Sequence, residues 1–277
     1  MKKLIIMVAL AICATACVNR QKKRLQPPTA QVIFLNVGKA DAAIIQVDGK
    51  SFLIDTGTFE SFGQLSTAID TFAITEFEGV FLTHGDKDHI GGWPSLSCFL
   101  PIKQLYLSEY GDIHDKGVKE LATEYKISCW ELSRNDVIEL SENCRVTVLA
   151  PSRYNKKDDN DNSLVLMVEI FEYRLLFTGD MTFRQEADLL AFDDQLQADI
   201  LKVAYHGQND SSSPEFIKRV QARYAVISTN KDERPSSAHP EVLSRLVDSQ
   251  VFITENYKLS LIFKLTKGQT IEIIPEQ

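Results

Sequence analysis

Two of the chain's five histidines fall inside one short stretch, His84-Gly85-Asp86-Lys87-Asp88-His89-Ile90-Gly91-Gly92. Imidazole nitrogens and carboxylate oxygens are the donors that hold divalent cations, and His84, Asp86, Asp88 and His89 offer four of them almost in succession. The apolar run before them, Val80-Phe81-Leu82-Thr83, reads as a buried strand. The donors therefore sit on a tight turn at a strand's C-terminal end, where they can converge on one or two cations without a helix to hold them. A solvated turn that merely contains two histidines is the ordinary competing explanation. The intact H-x-D-x-D-H-x-G-G pattern argues against it.

More donors recur at the ends of other apolar runs. Asp55 closes Leu53-Ile54-Asp55-Thr56-Gly57, and Asn162 and Ser163 precede Leu164. Asp180 ends Leu176-Phe177-Thr178-Gly179-Asp180, His206 ends Leu201-Lys202-Val203-Ala204-Tyr205-His206, and His239 stands just before Pro240. Each has a plainer reading: a turn for Asp55 or Asp180, a strand cap for His206, a helix N-cap for His239. Carboxylates and imidazoles arriving from several strand ends are nevertheless what a ligand cluster built from distant sequence requires. Ser211-Ser212-Ser213 before Pro214 could bind phosphate or cap a helix, and His114 matches no pattern and reads as a solvated helix-start residue.

These donors need a scaffold, and the apolar pattern supplies one. Short apolar segments at 32–35, 43–47 and 51–55 predict a meander of strands. Helical spacing of Phe62, Leu65, Ile69 and Phe72 predicts a helix over 61–76, followed by the strand at 80–83. Further strands are expected at 103–107, 145–149, 164–170, 173–178, 200–204, 224–228, 251–254, 260–265 and 270–275. Helices are expected at 93–99, 114–125, 182–192, 214–222 and 240–248, with Pro214 and Pro240 in first turns. Two sheet-forming halves with interspersed helices predict a layered α/β sandwich. The polar stretch 155–162 reads as a loop, and no domain boundary is visible after residue 31.

The N-terminus follows different rules. Lys2 and Lys3, the apolar run Leu4 to Ile12, and Ala14-Thr15-Ala16-Cys17 resemble a bacterial lipoprotein signal, which makes 1–16 a signal peptide and Cys17 the lipidated residue. An ordinary signal peptide cut near Ala16 is the other reading. Both place the mature protein outside the cytoplasm, anchored to a membrane through lipid in the first case. Residues 17–30, polar, basic and proline-containing, read as a tether, and 31–277 as a single domain.

At 277 residues, with 44% hydrophobic and 25% charged side chains, the chain has the composition of a folded globular protein. Its net charge of −8 argues against a broad basic surface for nucleic acid, although local cations could still engage a phosphodiester. Cys98, Cys129 and Cys144 form no C-x-x-C pair; each is expected to be a small buried side chain, with a Cys129–Cys144 disulfide left open.

Taken in order, FLNVGKADAAII, LIDTG, THGDKDHIGG, NDNSLVL, LLFTGD, LKVAYHGQNDSSSPEF and AHPEVL resemble the metallo-β-lactamase fold superfamily, and within it the hydrolase domain of ComEC-type DNA-uptake (competence) proteins. The resemblance runs from about Phe34 to Leu246. It implies a four-layer αββα sandwich with a metal cleft at one sheet edge, and hydrolysis of esters or phosphodiesters through a metal-bridging hydroxide. It implies two divalent metal ions (Zn or Mn, with Mg conceivable): His84 and Asp86 on the first, Asp88, His89 and His206 on the second, and Asp180 bridging. Asp55 would orient the His84–His89 loop, Asn162 and Ser163 would contact substrate oxygens, and Asp88 and His239 would act in catalysis, His239 by donating to a phosphoryl oxygen or leaving group. Departures from the family pattern are Asp86 for a second histidine, Tyr205 for the first histidine of an H-H-G pair, and Asn36 and Lys39-Ala40 for Asp and Gln-Gly.

Three functions are therefore expected to compete. The first is an extracytoplasmic phosphodiesterase or nuclease, for which nucleic acid is a possible partner. The second is a hydrolase of a small ester, lactone, β-lactam or phosphorylcholine-type substrate. The third is a binding lipoprotein with a degraded site.

Overall fold

The computed structural model describes residues 27–192 and 195–275. The expected signal peptide and Cys17 lie outside the described residues. Two sheets face each other. The first has eight strands: β1 (Thr29–Leu35), β2 (Ala43–Val47), β3 (Lys50–Ile54), β4 (Gly79–Leu82), β5 (Gln104–Ser108), β6 (Ser128–Leu132), β14 (Ser260–Thr266) and β15 (Glu272–Pro275), in the order β15-β14-β1-β2-β3-β4-β5-β6. The second has seven: β7 (Val137–Ser141), β8 (Cys144–Ala150), β9 (Val165–Ile170), β10 (Tyr173–Phe177), β11 (Ile200–Lys202), β12 (Tyr224–Ile227) and β13 (Gln250–Ile253), in the order β13-β12-β11-β10-β9-β8-β7. The first strand begins at Thr29, two residues before the boundary expected at 31.

Both faces of the central strands are buried, which explains why they read as near-continuous apolar runs. In β1, Val32 and Phe34 point into the space between the sheets while Ile33 and Leu35 point to the outer face, as the two-residue period of a strand dictates. The inter-sheet core joins Phe34, Ile45, Ile54 and Phe81 to Val148, Leu166, Leu175 and Phe177. Phe34 stacks on Phe177 across it with ring centroids 5.7 Å apart.

Helices cover the outer faces. Leu65 and Ile69 of α1 (Phe62–Thr71), Trp93 and Leu96 of α3 (Trp93–Phe99), and Val118 and Ala122 of α4 (Val118–Glu124) pack on the first sheet. Leu189 of α5 (Phe183–Ala191), Phe216 and Val220 of α6 (Pro214–Val220), and Val242 of α7 (Pro240–Arg245) pack on the second. This is the four-layer αββα sandwich.

In both sheets an antiparallel half passes into a parallel half: β3, β4, β5 and β6 run parallel, as do β10, β11, β12 and β13. Loops leaving the C-terminal ends of parallel strands gather on one edge, and such edges are where α/β proteins place ligands.

Several expectations need correction. The helix expected over 61–76 ends at Thr71, because Ala73 turns left-handed at φ +51°. The helix expected over 114–125 divides into a 3₁₀ turn at Asp112–Asp115 and α4, with Gly117 at φ +71° between them. Strands β6 and β7 were not expected. The expected tight turn after His84 contains a single helical turn, α2 (Lys87–Ile90). Cys98 and Cys129 are exposed rather than buried, and all three described cysteines are free. No helix among the described residues is long and apolar enough to cross a membrane.

Candidate metal centre

Four strand ends deliver the donors. Leaving β4, Thr83 leads into His84, Asp86 caps α2, and Asp88 and His89 lie on its single turn. Asp180 follows β10, and His206 follows β11 on a 3₁₀ turn where Tyr205 and His206 are both left-handed at φ +51°. Asp55 follows β3, also left-handed at φ +59°. Left-handed backbone is costly for residues with a Cβ, and its recurrence at three positions around one cleft marks a loop set held against local preference.

The histidines are aimed by what their Nδ1 atoms touch. His89 Nδ1 donates to Asp55 Oδ2 at 2.7 Å. His206 Nδ1 lies 2.8 Å from the carbonyl of Ser228, which can only accept. His84 Nδ1 is 3.2 Å from Thr83 Oγ1, whose own hydrogen goes to Asp55 Oδ2 at 2.8 Å. In the neutral rings the proton is thus drawn to Nδ1, which leaves the Nε2 lone pair to face the cleft.

Two of those Nε2 atoms converge on Asp180, and the third lies beside them. His89 Nε2 is 3.1 Å from Asp180 Oδ1, and His206 Nε2 is 3.3 Å from both Asp180 Oδ2 and Asp88 Oδ2. His84 Nε2 lies 3.6 Å from Asp86 Oδ2, and the His84 and His89 rings are 4.2 Å apart. Yet the Nε2 atoms of all three histidines and Asp180 Oδ1 are buried without a hydrogen-bond partner. Buried polar atoms without partners are costly and rare, and four in one place imply a missing partner. A divalent cation fits: Asp88, His89, Asp180 and His206 offer ligand atoms all within 4.8 Å of one another. His84 and Asp86 stand beside this set. The mixed nitrogen and oxygen donors suit zinc or manganese.

Charge in this cluster is mutually supported. Burial disfavours the imidazolium of His89, but Asp180 and Asp55 outweigh it and hold its pKa well above the ordinary histidine value. His206 is raised in the same sense, with burial overcome by Asp180 and Asp41. Burial likewise opposes ionisation of Asp180 and Asp88, and the facing histidines reverse that and hold both carboxylates well below the usual range. Asp86 is lowered by its contact with His84.

Supporting contacts explain the neighbouring sequence. Thr83 N donates to Asp55 Oδ1 at 2.8 Å, so one carboxylate orients both the strand end and His89. The backbone of Asp180 donates to Ser163 Oγ at 3.2 Å, and a Cβ added at Gly179 would lie 2.8 Å from the Cβ of Ser163. Ser163 therefore positions the Asp180 turn. A Cβ at Gly92 would approach the Thr56 carbonyl to 2.3 Å, so the second glycine of the Gly91-Gly92 pair exists for close approach of two backbones.

Two expected residues have other engagements. Asn162 accepts from Asn155 N at 2.7 Å and donates to the Asn155 carbonyl and Asp159 Oδ1, which commits its amide to the 155–162 loop instead of a substrate. His239 occupies the N-cap of α7, its Nδ1 accepting from Glu241 N at 3.2 Å. Its backbone nonetheless donates to the Gly207 carbonyl, which keeps it beside His206. Ser213 caps α6, so Ser211-Ser212-Ser213 forms a helix-capping turn. His114 hydrogen-bonds the carbonyl of Glu109. Asn36, in the altered first motif, donates to the carbonyl of Tyr257.

Three residues in the site escaped sequence reasoning. Asp41, 2.7 Å from the buried ammonium of Lys202 and 3.6 Å from His206 Nδ1, sits behind the histidines. Lys39 pairs with Asp88 through its Nζ. Burial works against the Lys39 charge, but Asp88, Asp180 and Asp41 outweigh it and raise its pKa. The available signal was a charge inside an apolar run: Asp41 among Ala40, Ala42 and Ala43, and Lys202 between Leu201 and Val203.

Comparison with known proteins agrees with this geometry. The family model described as "Metallo-beta-lactamase superfamily" matches residues 35–229. The chain is 31% identical over 175 residues to ComE operon protein 3 of Bacillus subtilis, covering 62% of this chain and 22% of that protein. It is 25% identical over 236 residues to Recombination protein 2 of Haemophilus influenzae, covering 81% of this chain and 27% of that protein. The chain thus spans less than a third of these relatives. Among solved structures, the metallo-beta-lactamase fold protein YhfI of Bacillus subtilis superposes with a TM-score of 0.57 at 13% identity, covering 87% of this chain and all of that one. A diphosphatase of the PhnP family superposes with a TM-score of 0.53 at 14% identity, covering 86% and 98%. At such identities the structural likeness speaks for the fold alone. The match across most of the chain, on the loops that carry His84, Asp180 and His206, shows that this protein belongs to the metallo-β-lactamase superfamily and is related to the competence proteins.

Proposed function

We propose that the chain is an extracytoplasmic, metal-dependent phosphodiesterase, held to a membrane through lipid on Cys17. The observation that carries the chemistry is the convergence of two buried, unpartnered Nε2 atoms, those of His89 and His206, on Asp180, with a third, that of His84, beside Asp86. Asp88, His89, Asp180 and His206 would hold one divalent ion, and His84 with Asp86 would extend the site towards a second, with Asp180 between them. Such ions, when bound, supply Lewis acidity that activates water and neutralises charge on a phosphoryl oxygen.

The protein's own part is preorganisation. Asp55, Thr83 and the Ser228 carbonyl hold the imidazoles by Nδ1, so Nε2 is the nitrogen left to face a cation, which competes there only with a proton. Ser163 and Gly179 hold the Asp180 turn, and His84, His89 and His206 beside it are fully buried, so their rings are held by packing. His239, whose backbone donates to Gly207, would meet a leaving oxygen through the ring nitrogen not used in capping. The net charge of −8 favours a small or short phosphodiester over a long polyanion. Signal, lipid anchor and extracytoplasmic location rest on Lys2, Lys3, the Leu4–Ile12 run and Ala14-Thr15-Ala16-Cys17.

Metal content and turnover together test the reading. Purified protein loaded separately with Mn²⁺ and Zn²⁺ is assayed on bis(p-nitrophenyl) phosphate, single-stranded DNA and nitrocefin. The expected result is phosphodiester hydrolysis that Asp180→Ala and His84→Ala abolish with the fold retained. Turnover confined to nitrocefin, or wild-type rates in either variant, would sink it.

A further inference from the structure

Exposure of the side chains around the cluster is graded. His84, His89, His206 and Asp180 form a floor at 0–1% exposure, whereas Asp88, Lys39 and Asp86 stand above it at 18, 21 and 50%. These three side chains are the solvent-facing part of the cluster. Lys202, another ammonium near the cluster, is buried, at 2.7 Å from Asp41.

Lys39 is held in place at both ends. Its ammonium contacts Asp88 Oδ2, and its backbone N–H donates to Glu233 Oε2 at 3.1 Å. Gly38 before it is left-handed at φ +81°, and a Cβ there would run into Glu233 Oε1 at 2.5 Å. The segment carrying Lys39 is therefore pinned against the loop that precedes His239. An ammonium has three donors, and Asp88 is the partner the structure gives it among the described residues.

We propose that Lys39 is the anion-recognising residue of this site, its ammonium binding a non-bridging oxygen of a phosphoryl group and thereby selecting anionic substrates over neutral esters. This rests on the phosphodiesterase reading and narrows it. A fixed positive charge on the rim attracts a phosphodiester during approach and contributes a charge-assisted hydrogen bond on arrival. A neutral ester or β-lactam carbonyl gains less from it. Asp88 keeps the ammonium from swinging to solvent, so little side-chain freedom is lost when the anion docks.

The test is calorimetric titration of inorganic phosphate into the metal-loaded protein at low ionic strength, for wild type, Lys39→Gln and Lys39→Arg, with metal content measured in each. Lys39→Gln is expected to bind phosphate about tenfold more weakly, the loss of one charge-assisted contact. Lys39→Arg is expected to stay within about threefold of wild type, because the charge is kept while the geometry changes. Metal content is expected to be equal in all three. Equal phosphate affinity in wild type and Lys39→Gln overturns the proposal. So does loss of metal from Lys39→Gln, which would make the lysine a support for Asp88 and nothing more. Because binding is read apart from turnover, a wild type that binds phosphate through Lys39 yet leaves phosphodiesters intact would refute the activity and keep the anion site.

Discussion

Asp55 shows how much one side chain can organise without touching a ligand. It accepts from Thr83 N, Thr83 Oγ1 and His89 Nδ1, and so sets the end of β4 and the tautomer of a metal-facing histidine together. Asp55→Ala is expected to weaken metal affinity by about 10- to 100-fold, as loss of such orienting partners generally does. Competition with a chromophoric chelator measures this, and unchanged affinity would show that His89 needs no orientation. Asp41 and Lys202 form the second such unit, and both are almost fully buried. Lys202→Met leaves the Asp41 carboxylate uncompensated and is expected to cost about 3–5 kcal/mol of stability in urea unfolding. The Asp41→Asn, Lys202→Met double variant is expected to recover more than half of that loss, and equal losses in both would mean that the pair is not the cause. Neither residue was recognised from sequence, although both are charges inside apolar runs. The metal-facing residues were legible because their spacing is distinctive. A residue whose work is to neutralise a neighbour has no spacing to recognise.

At the scale of elements, what could be read followed burial. Strands covered on both faces, such as β1, β4 and β10, announced themselves as apolar runs, and their ends located the site. The two strands that escaped notice, β6 and β7, each stand at one edge of a sheet, opposite the edge strands β15 and β13. Four of the five residues of β6 are exposed, including Cys129 and Trp130, so the strand carries no two-residue period to detect. Cys129 was expected to be buried for want of that information. The one-turn helix α2 was missed for a different reason. Its four residues are too few for an amphipathic pattern, and the backbone around them dictates their shape. Thr56 N and Thr56 Oγ1 both donate to the His89 carbonyl, at 2.7 and 2.9 Å, and Gly92 N donates to Gly57 O, so the His84–Gly92 loop lies directly on the end of β3. Gly92→Ala would push these backbones apart. It is expected to cost about 1–3 kcal/mol and to lower Tm by about 2–10 °C, with metal affinity falling too because His89 rides on the same contact. Calorimetry beside chelator competition checks this, and an alanine variant with wild-type Tm would contradict the close approach.

For the molecule as a whole, the cluster ties stability to pH and to metal in opposite directions. Without a cation, His89 and His206 have pKa values raised above the ordinary 6.5 because Asp180, Asp55 and Asp41 outweigh their burial. A raised pKa means that the folded state binds the proton more tightly than the unfolded chain. That stabilisation is complete below the ordinary histidine value and fades as pH rises through the folded one. Asp180, Asp88 and Asp41 are lowered below the ordinary 3.8 by the facing cations, so their contribution is present above that value and is lost only in acid. The stripped protein should therefore be most stable in mildly acidic solution and weaken towards alkaline pH. A bound cation reverses the trend, because it takes the same Nε2 lone pairs that the protons would occupy and its advantage grows as protons leave. Thermal unfolding from about pH 6 to about pH 9 is expected to show a falling Tm in excess chelator and a level or rising Tm with Mn²⁺ or Zn²⁺, the gap widening throughout. Parallel curves would mean that metal and proton do not compete at these nitrogens, and that the unpartnered atoms facing Asp180 serve some other purpose.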